Sequence, residues 1–205
     1  MSSTLQTFGF RPVYSRSGGQ VRAKRVKLAD SVQAGTAVNH YAGNPCTLKT
    51  DGSLIAYDGT GSAYNTGMYG IVAGFEYTDA NNKPVKDNKL LASQTGITNV
   101  YAWVYTDPDI VYEVGVNATV AIAAIGDQLT TVTNPTTGSS TTGYGTCYMA
   151  GAGSGGAATL AGANAQGVAR IIDIALQPDN DWSDNFTVVQ VELCGLQTVA
   201  VKVAI

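Results

Sequence analysis

Met68-Tyr69-Gly70-Ile71-Val72-Ala73-Gly74-Phe75-Glu76-Tyr77, followed by Thr78-Asp79-Ala80-Asn81-Asn82-Lys83-Pro84, sets the fold class of this chain. The first stretch is rich in β-branched and aromatic residues, which suit a pleated, half-buried surface. The second gathers Asp, Asn and Pro, which bend the backbone or hydrogen-bond back to it. The pattern reads as strand then turn, and it recurs. Val100-Tyr101-Ala102-Trp103-Val104-Tyr105 runs into Asp107-Pro108-Asp109, where Pro fixes φ and Asp side chains can cap a turn. Residues 110–116 follow as the return strand. Residues 168–176 and the apolar run 186–205 add further strands. In the last run Val199, Val201 and Val203 alternate with Ala200, Lys202 and Ala204, a period of two, and Gly195 marks a bulge or a break into two strands.

Helical periodicity is scarce. Residues 119–125 are Ala- and Ile-rich but short, and fit a helical turn or another strand. No fixed-period repeat occurs, which disfavours a solenoid or propeller. Many turns between short strands favour an all-β fold, a single small β-barrel or sandwich domain with long Gly/Thr/Ser/Ala-rich loops. Residues 1–20 are expected to form an extended N-terminal arm, and residues 21–205 the β-rich domain. Within it, all 42 residues from 128 to 169 are uncharged. Two Gly-rich pieces there flank Tyr144, Cys147, Tyr148 and Met149, so a surface excursion at about 128–167 containing a short strand is expected.

Composition narrows the function. The chain has 205 residues and is 44% hydrophobic, enough to bury a sizeable core, yet only 13% charged, against about 25% in an ordinary soluble domain. A surface of Gly, Ala, Ser, Thr and Asn suits close packing against other subunits. The net charge of −3 is unevenly spread. Residues 1–30 hold Arg11, Arg16, Arg22, Lys24, Arg25 and Lys27 against Asp30 alone, a net +5 that leaves −8 for the remainder. A basic end on an acidic body suits docking to an acidic partner or to nucleic acid; a strand with one solvated basic face is the alternative, above all for residues 21–28. Cys46, Cys147 and Cys194 show no CxxC spacing, so reduced thiols are expected in a protein made in the cytoplasm. No apolar h-region opens the chain and no run approaches about 18 uninterrupted apolar residues, so neither a signal peptide nor a membrane helix is expected.

The residue types that carry catalysis are thinly represented. His40 is the sole histidine, so any Ser-His-Asp or Cys-His arrangement must use it, and no Gly-x-Ser-x-Gly elbow is present. Gly151-Ala152-Gly153-Ser154-Gly155-Gly156 lacks the Gly-Lys-Ser/Thr ending of a phosphate loop. Carboxylates cluster at Asp107, Asp109 and Glu113 and at Asp179, Asp181 and Asp184; they could serve glycoside hydrolysis or bind calcium, but the calcium-loop Gly and distal Glu are missing, and turn capping explains them. No enzyme activity, metal or cofactor is expected. Trp103, Trp182 and eleven tyrosines leave open a carbohydrate- or receptor-binding module.

Five segments together resemble a family. They are Phe8-Gly9-Phe10-Arg11-Pro12-Val13, Gly70 through Asp79, Val104 through Glu113, Arg170-Ile171-Ile172-Asp173, and Pro178 through Asn185. In order and spacing this set resembles the head-decoration or cement proteins, minor capsid structural proteins of tailed double-stranded-DNA bacteriophages. Val114, where the family often has Gln, and the apolar close at residues 199–205 depart from its pattern. The resemblance implies a β-rich, homotrimeric virion protein on the capsid surface that bridges subunits of the major capsid protein, with no nucleic acid or membrane partner. The segment from Phe8 to Lys27 is expected to reach onto the capsid or a neighbouring subunit, with Phe8 and Phe10 as anchors and Arg11, Arg16 and Arg22 pairing with acidic groups. A carbohydrate- or receptor-binding module of a phage head or tail fibre is the alternative function.

Overall fold

The computed structural model describes residues 4–28, 39–49, 51–57, 67–162, 165–194 and 196–197. The expected strand at residues 199–205 and the break at Gly195 lie outside the described residues. Fifteen strands run β1 Arg11–Ser15, β2 Ala23–Lys27, β3 His40–Tyr41, β4 Pro45–Leu48, β5 Leu54–Ala56, β6 Gly70–Thr78, β7 Pro84–Asp87, β8 Lys89–Leu90, β9 Thr98–Tyr105, β10 Ile110–Gly115, β11 Gln128–Leu129, β12 Val132–Thr133, β13 Tyr148–Met149, β14 Ala169–Ile174 and β15 Val188–Leu193. A single 3-10 turn, Ile122–Ala124, is the helical element among the described residues. The fold is all-β and sandwich-like.

Two larger sheets organise it, both antiparallel. The first is five-stranded, in the order β1-β10-β15-β14-β11; the second is six-stranded, in the order β2-β9-β6-β4-β5 with β7 also on β6. β6, the quoted strand, is the hub of the second sheet. It pairs with β9 along one side, and with β4 and then β7 along the other. The Asn-rich stretch after it is a turn held by Asp79, whose carboxylate accepts from the Asn81 and Lys83 amides at 2.9 and 2.8 Å. The turn from β9 to β10 is capped by Asp107, which accepts from the Asp109 amide at 2.9 Å.

The alternation along the strands sorts side chains into two cores. Ile110, Tyr112 and Val114 of β10 meet Val189, Val191 and Leu193 of β15 in the first. Val72, Phe75 and Tyr77 of β6 meet Val100, Ala102 and Val104 of β9 in the second. Ile71 joins the first core and its neighbour Val72 the second, so successive residues of β6 serve both. Each buried Val, Leu, Ile or Phe contributes about 1.5–3 kcal/mol. Cys147 lies in the first core and Cys46 in the second, each acting as a small apolar residue. Burial pushes the Cys147 thiol up to about 12, which leaves it protonated.

The uncharged stretch is built into the molecule. Leu129, Val132, Cys147, Met149 and Val168 are all part of the first core, and β12 pairs with β13. Its return is fastened to residues 42–44. The Gly145 amide donates to the Ala42 carbonyl at 2.7 Å, and a Cβ on Gly145 would lie 1.8 Å from Asn44 Oδ1, so only glycine fits there.

Residues 11–15, expected within an arm, form an edge strand instead: β1 pairs with β10 from Arg11↔Glu113 to Ser15↔Ile110. The approach to it is pinned too, with the Gly9 amide donating to the Cys147 carbonyl at 3.2 Å and the Phe10 amide to the Gly43 carbonyl at 2.8 Å. Residues 23–27 take the alternative reading, a basic strand within the chain's own sheet, paired along β9. Both long edges are blunted against strand addition. β1 carries Pro12 and a bulge between Pro12 and Tyr14, and three of the five residues of β2, Lys24, Arg25 and Lys27, are basic.

Candidate binding surfaces

The five residues expected to contact a partner separate into three groups. Phe10 is 1% exposed and sits in the first core, its ring edge-on to Tyr112 at 6.1 Å, so it has no face to offer a partner. Phe8 is half-buried, with the Arg11 guanidinium 5.0 Å above its ring. Arg11, Arg16 and Arg22 are exposed. Arg11 pairs with Glu113 of the same chain, and Arg16 pairs with Glu192 at 2.5 Å, which also holds Arg170 at 3.1 Å.

These pairs follow from register. Tyr14, Val111, Glu192 and Arg170 stand side by side across β1, β10, β15 and β14, and Arg11, Glu113, Gln190 and Asp173 form a second row on the same face. Arg11 and Arg16 keep more than half of their side-chain surface in water, so each pair contributes at most about 1 kcal/mol to stability. Each guanidinium has five donors, most of them left for an outside acceptor. Between the two arginines stand Val13 and Tyr14, 44% and 41% exposed. Sequence reading missed both, although an apolar pair inside a basic strand is the signal that could have found them. Arg, Val, Tyr and Arg along one edge form a strip with the composition of an interface.

A second surface opens beside it. A cavity of about 610 Å³ is lined by Phe8, Arg11, Tyr105, Ser139, Tyr144 and Thr146, among others. It joins the N-terminal segment to the uncharged stretch. Tyr144 is 51% exposed. Burial first, and then the neighbouring Tyr144, hold the Tyr105 hydroxyl above its ordinary pKa. A depression of about 450 Å³ on the same sheet shares Ala73 with this cavity and is lined by Trp103, Lys86, Asp87 and Asn88. Trp103 is half-buried and donates through Nε1 to Glu76 at 3.3 Å. Arg25 bonds the same carboxylate at 3.0 Å while its guanidinium lies 3.6 Å over the Tyr101 ring. Trp182 packs against the first core.

The carboxylate clusters act in turns. Asp107 caps, Glu113 faces Arg11, and Asp184 accepts from the Asp181 amide at 3.0 Å. The organiser of the second cluster is Asn180, which sequence reading passed over. Its amide donates to the Ala175 and Val188 carbonyls at 2.9 and 2.7 Å, and its carbonyl accepts from the Val188 amide at 2.8 Å. Among the described residues no three His, Cys, Asp or Glu side chains gather closely enough to hold a metal ion. The melting temperature is therefore expected to be the same in chelator and in calcium; a fall of many degrees in chelator would expose a structural metal.

No family model, curated protein or solved structure matches this chain.

Proposed function

We propose that this chain is a structural virion protein that decorates the outer surface of a phage capsid and bridges subunits of the major capsid protein. The observation that carries the reading is the β1 strip, where exposed Val13 and Tyr14 stand between Arg11 and Arg16. Aromatic residues and arginines are the commonest interface anchors. Blunted edges on both large sheets direct association to side chains rather than to strand addition. A protein that binds the assembled lattice and not its separate subunits stabilises the assembled state, and many copies on one shell supply avidity without strong single contacts.

Two measurements test it. Purified heads imaged with and without the protein should differ by density on the outer surface. A Val13→Asp/Tyr14→Asp variant, which changes exposed positions and leaves the core intact, should lose occupancy, and raised salt should lower it further by screening. Full occupancy of that variant at high salt would remove the strip from the contact, and heads that never bind the protein would remove the function. In solution the same reading expects a homotrimer, so light scattering at micromolar concentration should report about three times 21.2 kDa. A monomer there would confine the trimer to the capsid.

A further inference from the structure

We infer that the cleft running from Trp103 across Ala73 to Tyr105 and Tyr144 is a binding site for a neutral oligosaccharide, which shares Arg11 with the β1 strip but not Val13, Tyr14 or Arg16.

β9 is the origin of the site. Its residues alternate, so Tyr101, Trp103 and Tyr105 share one face of the second sheet while Val100, Ala102 and Val104 fill the core behind it. Arg25 covers the Tyr101 ring, which leaves Trp103 and Tyr105 to line the two depressions. β6 skips one residue of register between Val72 and Gly74, and the extra residue, Ala73, forms the saddle the depressions share. The small residues Ala42, Gly43, Ala73 and Gly145 keep the first depression open, with Tyr105 and Tyr144 among its walls. The wall is fixed, since Gly145 is bonded to Ala42 and has no room for a side chain. A preformed site loses little ordering entropy on binding.

Three features select the ligand. The lining carries no net charge: Arg11 is paired with Glu113, and Lys86 and Asp87 bring one charge of each sign. No excess of either sign therefore selects an ionic ligand. Hydroxyls of Ser139, Thr142 and Thr146 line the same depression as the Tyr105 and Tyr144 rings; Ser139 and Thr142 accept from the Thr142 and Tyr144 amides and Thr146 meets Thr137, which leaves hydrogen-bonding capacity on each hydroxyl for a polar ligand. An extended peptide binds by adding to a sheet edge, but β6 and β9 are interior strands here, their main chains bonded to neighbours on both sides. A sugar ring presents apolar C–H faces to Trp and Tyr rings and hydroxyl edges to Ser and Thr. Combined volumes of about 610 and 450 Å³ match the size of ligand pockets, at roughly 300–1,000 Å³ each.

The test uses the full chain on a printed array of neutral and acidic glycans, with the best neutral hit then titrated by calorimetry. A neutral glycan should be retained, and Tyr144→Ala should weaken it about tenfold or more. Tyr144 is half exposed, so the variant should keep the parent melting temperature, and that is measured alongside. Trp103→Phe should weaken binding less than Tyr144→Ala, because it keeps an aromatic face. Four results would overturn the proposal: no neutral glycan retained, acidic glycans preferred, neutral binding unchanged in Tyr144→Ala, or a peptide library bound in the cleft in place of glycans. Each leaves the capsid-occupancy measurement untouched, so the two readings stand or fall separately.

Discussion

Removing residues 2–16 is expected to abolish cooperative folding, and Phe10→Ala alone to destabilise the chain by about 3–5 kcal/mol. Phe10 is 1% exposed and meets Tyr112 edge-on at the centre of the first core. Its replacement by Ala loses the buried ring and leaves a cavity that the main-chain anchors beside it prevent from closing. Those anchors are the Gly9 and Phe10 amides, bonded to Cys147 and Gly43. The truncation also strips β1 from β10, uncovering a strand whose six residues are all buried. Domains of this kind are stable by about 5–15 kcal/mol, so the point variant should survive with a lowered urea midpoint and the truncation should not. Phe10→Leu should recover most of the loss, because it refills the space. A Phe10→Ala midpoint equal to the parent's would take the ring out of the core and return residues 4–10 to the status of an arm.

That outcome also marks where the sequence is legible. β6, β9, β10, β14 and β15 could be read in advance, because each is a run of Val, Ile, Tyr, Phe and Ala long enough for alternation to register and each ends in a turn with Asp, Asn, Pro or Gly. The Ala- and Ile-rich stretch at 119–125 resolves to its first alternative, a 3-10 turn over Ile122–Ala124. The first core's other contributors carry no such signal. Phe10 sits among Gly, Arg and Pro, and Leu129 and Val132 are single apolar residues set among Thr; Cys147 and Met149 belong to the short strand expected between the Gly-rich pieces, which is β13, but nothing local tells which core it enters. Such residues are buried by long-range contacts, and local periodicity does not encode those. The same holds for the two binding surfaces. The basic charge of the N-terminal end was legible, and so were Phe8 and Arg11 as residues of interest. That Arg11 faces Glu113, that Phe10 turns inward, and that Tyr144 comes to lie near Tyr105, 39 positions earlier in the chain, depend on topology.

Stability should also fall as the solution is acidified from pH 6.5 towards pH 4, and His40 should account for much of the fall. The imidazole is 7% exposed, stands 6.2 Å from the Phe75 ring, and its Nε2 has no hydrogen-bond partner. Burial disfavours the imidazolium and lowers its pKa from 6.5 to about 4. The sign follows from which state binds the proton more readily. Between pH 4 and 6.5 the unfolded chain takes up a proton that the folded chain refuses, so stability rises with pH across this window. The contribution is complete above about pH 6.5 and is lost on descent towards 4, where the folded form also protonates. At about 1.36 kcal/mol per pKa unit the loss approaches about 3 kcal/mol. His40→Leu fills the same apolar site without a titrating group. Urea midpoints above pH 6.5 and near pH 4 should therefore differ less in this variant than in the parent. Carboxylates contribute an acid slope of their own, but it is common to both proteins and cancels in the comparison. Equal slopes in parent and variant would mean that the folded protein accepts the proton at His40 as readily as the unfolded chain does, which needs water or an acceptor at Nε2.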